Sequence, residues 1–141
     1  MPLTDVAFFD TNILLYIHDH RDPVKQRRAA EIFEQHLVSK TIAISTQVIQ
    51  EFYVTATRKF SLPPERAREV IADFCEMKPV TIDTPQILQA TDLAAKFHLS
   101  FWDALILAAA ETAGATLLLS EDFSPGQVYG RIRVVNPLLP S

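Results

Sequence analysis

A single cysteine, Cys75, is all that this chain of 141 residues contains, so no disulfide can form within it. That fits a reducing compartment, and the cytoplasm is the expected location. Cys75 falls in the apolar–polar pattern VIADFCEM and reads as a buried structural thiol, because no histidine or second cysteine is suggested beside it. Glycine is scarce, three residues in all, and no glycine-rich phosphate loop is present, which excludes nucleotide sites of the dinucleotide or P-loop kind. The four histidines make no zinc set: His18 and His20 share a loop-like segment, His36 lies on a charged helix, and His98 ends another. No apolar run approaches the ~18 residues of a membrane helix. The stretch MPLTDVAFFD has no basic leader and is interrupted by Asp5, so a signal peptide is not expected. A basic surplus is missing too: the formal net charge is −4, which argues weakly against a nucleic-acid binder.

What is present has the size of one ordinary domain over residues 1–141, able to bury about two-thirds of its unfolded surface. No repeat, low-complexity segment or linker divides it. Short β-rich runs alternate with helical ones. VAFF (6–9) reads as a buried strand, followed by a helix from Asn12 to Ile17. Asp22-Pro23 is an N-cap and first-turn pair that opens a helix to about Val38. TIAIS (41–45) is a second strand, after which Ser45 or Thr46 caps a helix reaching Lys59. Pro63-Pro64-Glu65 opens the next, to about Met77, and VTI (80–82) follows Pro79 as a strand. Thr84-Pro85 reads as a further N-cap and first-turn pair, opening a helix with Ile87, Leu88, Leu93, Ala94 and Phe97 at helical spacing. Ser100 caps another, stopping at Gly114. TLLL (116–119) is a fully buried strand, and RIRVV (131–135) an edge or border one. The alternation predicts an α/β, three-layer sandwich with a mainly parallel central sheet flanked by helices.

Ligands of such sheets bind beyond the carboxyl ends of the strands, and four acids fall there. Asp10 directly follows the first strand, Glu51 lies in the second turn of the helix that Ser45 starts, Asp122 comes three residues after TLLL, and Asp103 is in the first turn of the helix before TLLL. Each lies in or beside an apolar run, where an isolated carboxylate is costly to desolvate. Each also has a plainer reading. Asp10 is a candidate N-cap, with Thr11 and Asn12 as rivals. Glu51 sits at the border of its helix's apolar stripe and fits a surface position. Asp103 stands on a helix that is otherwise apolar all round to Ala110, so it is the sharpest anomaly, yet Ser100 and Asp103 also have the spacing of a capping box. Asp122 fits a loop acid, and Glu121 competes with it as the fourth member.

Gathered together, the four make sense around a divalent cation, and carboxylate oxygens suit hard Mg²⁺, with Mn²⁺ as a substitute. Thr11, Asn12 and Ser120 are placed to orient the acids or to hold water or phosphate. The matching chemistry is phosphodiester hydrolysis by an ion-activated water, with one ion or two and no protein nucleophile. Setting the four acids aside leaves the remaining charge near neutral. The basic residues cluster at Arg21, Lys25, Arg27 and Arg28, at Arg58 and Lys59, and at Arg66 and Arg68. These clusters read either as solvated helix faces or as a positive rim around the pit.

FFDTNILLY, the QEFY segment, SFWDALILAAA and LLLSEDF, in this order over nearly the whole chain to RVVNPL, resemble the PIN domain family, in particular the VapC-type toxins of bacterial toxin–antitoxin pairs. The resemblance implies a PIN-like fold and a Mg²⁺-dependent endoribonuclease, often a homodimer, held inactive by a cognate antitoxin. It matches the family's acids to Asp10, Glu51, Asp103 and Asp122, with Ser120 two residues before the last and Asn12 at a position commonly Asn. A haloacid-dehalogenase phosphatase fits less well, since it needs Asp where Asn12 stands, and the lysine and paired acids of a response regulator are not evident. A non-catalytic RNA- or protein-binding module of the same fold, and a metal-dependent nuclease acting on DNA, are the remaining alternatives.

Overall fold

The computed structural model describes residues 3–140; residues 1, 2 and 141 of the expected single unit lie outside the described residues. Along the chain run β1 (Ala7–Phe9), α1 (Thr11–Tyr16), α2 (Pro23–Ser39), β2 (Ile42–Ala43), α3 (Thr46–Arg58), α4 (Pro64–Cys75), α5 (Thr84–Phe97), α6 (Phe101–Thr112), β3 (Leu117–Leu119), β4 (Val128–Tyr129) and β5 (Ile132–Val135). The strands form one sheet in the order β2-β1-β3-β5-β4, parallel throughout except for the β4–β5 pair. Ala7, Phe8 and Phe9 are all fully buried. Successive strand residues point to opposite faces, so β1 is covered on both sides. That makes the three layers of the expected sandwich.

Local chemistry sets the helix starts. Asp22, Ser45, Asp83 and Ser100 each accept a hydrogen bond from a backbone N–H in the first turn of α2, α3, α5 and α6. Such caps contribute about 1 kcal/mol each. For α3 the cap is Ser45, not Thr46. For α5 it is Asp83, with Thr84 inside the helix. At the other end of α6, Gly114 takes a left-handed φ of +73°, which turns the chain into β3.

Three further expectations change. Residues 80–82 form no strand: Val80 makes a lone parallel bridge to Ser45, because β2 gives way to α3 at once. The Thr46 hydroxyl then accepts from the Ile82 N–H (3.1 Å) in place of a backbone partner. The border strand is not β5, which lies between β3 and β4, but β4, which is too short to show a period of two. A tight turn at Gly130 and Arg131 joins the pair, with Gly130 at φ +61°. Cys75 is exposed; the buried stripe of α4 is Ala67, Val70 and Phe74, and the next residue is turned about 100° away from it. His36, by contrast, is buried, with Nδ1 2.8 Å from the Thr41 hydroxyl and its ring edge-on to Phe9.

A chain of aromatic contacts ties the α1–α4 side together. Phe52 of α3 is fully buried, edge-on to Phe74 at 5.2 Å and to His18 at 5.6 Å, and Phe74 meets Phe33, which meets Phe9. Truncating a buried Phe leaves a cavity as well as losing transfer energy. Phe52→Ala is therefore expected to lower unfolding free energy by about 3–5 kcal/mol, read from urea denaturation; a loss below about 1 kcal/mol would contradict this packing role.

Candidate active site

The chain leaves β1 to pair with β2 on one side, and later returns to pair β3 on the other. The carboxyl ends of β1 and β3 thus flank the point where strand order reverses, the usual ligand crevice of a parallel sheet. Asp10 and Ser120 are the first residues beyond those ends, and the Ser120 hydroxyl donates to Asp10 Oδ2 at 2.7 Å. Both are buried, Asp10 with 6% of its surface exposed. Its other oxygen accepts from the Thr11 N–H at 2.8 Å, so Asp10 is also the N-cap of α1. The capping reading holds, and it leaves Asp10 at the crevice where the site reading put it.

The other acids close around this pair. The Thr11 hydroxyl donates to Glu51 Oε1 at 2.9 Å, which links the starts of α1 and α3. Asn12 Nδ2 donates to Asp122 Oδ2 at 3.0 Å, and the Asp122 N–H donates to the Ser120 oxygen. Asp103 uses its backbone N–H on Ser100 Oγ (3.1 Å). The returning half of a capping box, from the Ser100 N–H to the Asp103 carboxylate, is not made among the described residues. Asp103 is left half-buried, and its charge acts on Glu51 and Asp122. Trp102 beside it is 63% exposed, so the helix is buried all round only from Ala104 to Ala110.

Mutual repulsion reports how close the acids are. Burial pushes the Asp10 carboxyl up to about 6, against hydrogen bonds from Ser120 and Thr11 that lower it, and the charges of Asp122 and Glu51 raise it further. Glu51 is raised by desolvation and by Asp103 and Asp122, and Asp122 by desolvation and by Asp103 and Glu121. All four acids are therefore joined through one field, although among the described residues no three acidic, His or Cys side chains already converge as a finished ion shell. Glu51 and Asp122 are at the exposed rim, where their side chains have room to swing inward.

Glu121 is held elsewhere. Its carboxylate accepts from the Tyr16 hydroxyl at 2.9 Å and lies 3.7 Å from Lys25 Nζ, which in turn stands over the Tyr16 ring. Asp122, not Glu121, shares the hydrogen-bond network of Asp10. Lys25 belongs to a basic cluster that the sequence offers as a positive rim, and its ion pair with Glu121 puts it there; Tyr16 carries no sequence signal beyond lying one helical turn after Asn12 on α1. Gln47, one turn before Glu51 on α3, donates to the Trp102 carbonyl at 3.3 Å and braces α3 against the start of α6. It too escaped notice, since a polar residue in a first helical turn is unremarked by pattern. Tyr129 completes the wall near Asp103, whose charge, after desolvation, raises its hydroxyl above the ordinary value.

Comparison with known proteins places this arrangement. Residues 7–129 match the family model of the PIN domain. Among solved structures, a toxin–antitoxin complex from Klebsiella pneumoniae is 25% identical, covers 93% of this chain and 97% of its own, and superposes with a TM-score of 0.67. DNA-bound VapBC from Salmonella typhimurium is 17% identical with the same coverages and a TM-score of 0.65. VapC20 of Mycobacterium tuberculosis, a Sarcin-Ricin loop cleaving toxin, is 16% identical over 79% of this chain and 86% of its own, with a TM-score of 0.64. No curated protein matches by sequence.

The buried acid sets a pH dependence in metal-free buffer. Because the Asp10 carboxyl rises from 3.8 to about 6 on folding, the folded chain holds that proton more tightly than the unfolded one. The associated stability is complete below pH 3.8 and is lost as pH climbs through about 6. Asp10→Asn removes this loss. The variant is expected to gain on the native chain by about 2–3 kcal/mol between pH 4 and pH 7 in EDTA, read from urea midpoints at each pH. Parallel pH profiles for the two proteins would contradict the burial cost.

Proposed function

Because this chain belongs to the PIN domain family, we propose that it is a Mg²⁺-dependent endoribonuclease and the toxin of a type II toxin–antitoxin pair. The observation that carries this reading is the network beyond β1 and β3 in which Ser120, Thr11 and Asn12 bind Asp10, Glu51 and Asp122, with the charge of Asp103 acting on the last two. Their donor set fits the ion: hard oxygens, one carboxylate deeply desolvated, with Glu51 and Asp122 repelling Asp10 and Asp103 repelling Glu51 and Asp122. In this proposal Asp10 and Asp103 are the central ligands, with Glu51 and Asp122 completing the shell or orienting water. Mn²⁺ is a chemically reasonable substitute.

When bound, the ion supplies Lewis acidity and a water of lowered pKa. The chain's own residues do the rest. Ser120 and the Thr11 amide fix both oxygens of Asp10, so that its orientation does not depend on substrate. Thr11 and Asn12 hold Glu51 and Asp122 at the rim in the same way. Buried Leu119 and Phe123 flank the Ser120–Asp122 segment and limit water around Asp10. In this proposal the Ser120 and Thr11 hydroxyls are committed to positioning carboxylates, and water is the attacking group.

The structural relatives that are toxin–antitoxin complexes support an antitoxin as protein partner, and RNA as substrate follows from the nuclease reading. A homodimer in solution belongs to the same proposal. Expression of the chain alone is expected to arrest growth, and co-expression of a small adjacent open reading frame to relieve it.

Two measurements test the site. Asp103→Asn is expected to slow Mg²⁺-dependent cleavage of single-stranded RNA by at least about a hundredfold; unchanged cleavage would remove Asp103 from the shell. Millimolar Mg²⁺ is expected to raise the melting temperature of the native chain, and less so that of Asp10→Asn, because the ion offsets the repulsion among the acids. A native chain that ignores Mg²⁺ and Mn²⁺ in this assay would contradict the metal site.

A further inference from the structure

A second feature lies at the far end of the two helices that leave the acidic rim. α1 and α3 pack together and both begin at that rim, after β1 and after Ser45. Beyond their other ends is a cavity of about 270 Å³ lined by His18, Asp19, His20, Arg21, Lys59 and Phe60, with Ser61 at its edge. Along α3, Lys59 follows Glu51 by eight residues, about 12 Å at the helical rise. His18 closes the gap from the other side, its ring packed on Phe52, the residue after Glu51.

The cavity is built around cations. Arg21 is largely exposed, yet it is not loose. Its Nε and Nη2 donate to the two oxygens of Asp19 at 2.9 and 3.3 Å, and Asp19 is itself buried. The guanidinium lies over the Phe60 ring at 4.9 Å. A buried carboxylate and an aromatic plate thus fix an arginine whose outer face and remaining N–H groups point to solvent. Fixing a guanidinium in advance lowers the entropy lost when it takes an anion. Asp19 cancels one charge, and Lys59, for which no ion pair is found among the described residues, leaves the cavity positive.

We infer that this cavity is an anchoring subsite for the sugar–phosphate backbone of single-stranded RNA, receiving a phosphate against Lys59, Arg21 and His20, with the exposed face of the Arg21 guanidinium free to stack on a base. The inference rests on the nuclease reading, since it supposes one strand running along α1 and α3 between the acidic pit and the cavity. It gives a chain of net charge −4 a positive foothold for a polyanion: the fixed Arg21 guanidinium and Lys59 sit at the end of the track away from the repelling acids of the pit. Phosphate contacts of this kind position a strand without reading its sequence.

The test is binding of a fluorescein-labelled single-stranded RNA of twelve nucleotides, followed by anisotropy in EDTA so that no cleavage occurs, across a salt series. Lys59→Glu, a change at an exposed side chain, is expected to weaken binding about tenfold or more and to reduce the slope of log K against log salt by about 1. Arg131→Glu, an equal charge change at the β4–β5 turn, is expected to leave both nearly unaltered. Unchanged affinity and slope in Lys59→Glu, or equal losses in the two variants, would overturn the subsite. RNA cleavage by the native chain with Mg²⁺ is scored separately. Cleavage without Lys59-dependent binding sinks the subsite and leaves the nuclease standing; Lys59-dependent binding without cleavage does the reverse.

Discussion

The hydrogen bond from Ser120 to Asp10 joins the ends of the two central strands, and the site is arranged around it. β1 and β3 are the most deeply buried strands of the sheet, and a carboxylate at the end of β1 is desolvated by the same packing that forms the core. One short bond, a helix N-terminal amide and the neighbouring hydroxyls hold that carboxylate in place, but they do not remove its cost, because its carboxyl still sits near 6. Three further acids face it across the rim. A fold that concentrates negative charge at the crevice beyond β1 and β3 is left with free energy that a cation can recover. This is the physical basis for regarding the acids as a working site instead of a surface accident.

The scaffold explains the precision of the arrangement. Ser120 follows β3 and Asp10 follows β1, so the register of a parallel pair, Phe9 opposite Leu119, fixes their separation. Thr11 and Asn12 are the first residues of α1, and each reaches an acid on a different element. The start of α1 therefore works as a bracket, tying α3 on one side and the loop after β3 on the other. Polar residues that look like ordinary helix-start chemistry carry both jobs at once.

Much of this was legible in the sequence because strong local rules and the final fold agree. Asp22-Pro23, Ser45, Ser100 and Gly114 mark element ends through backbone chemistry that needs no tertiary context. The buried strands VAFF and TLLL stand out as apolar runs, and Asp10 and Asp122 stand out by following them. What was not legible depends on contacts between distant segments. Residues 80–82 have strand composition, but only one residue of β2's neighbourhood is available to pair with. Val128 and Tyr129 have too few residues to show a pattern and become a strand only because β5 lies beside them. Cys75 looked apolar by composition, and its exposure is decided by a turn of 100° past Phe74. The choice between Glu121 and Asp122 is made by Tyr16 and Lys25, over a hundred residues earlier in the case of Tyr16.

The direct measurement of the central claim is anomalous diffraction from crystals soaked in Mn²⁺. The account predicts an anomalous peak in the crevice between β1 and β3, within coordination distance, about 2–2.3 Å, of oxygens from both Asp10 and Asp103. A Mn²⁺ peak elsewhere on the surface, or none in that crevice while Asp10 keeps its bonds to Ser120 and Thr11, would contradict it.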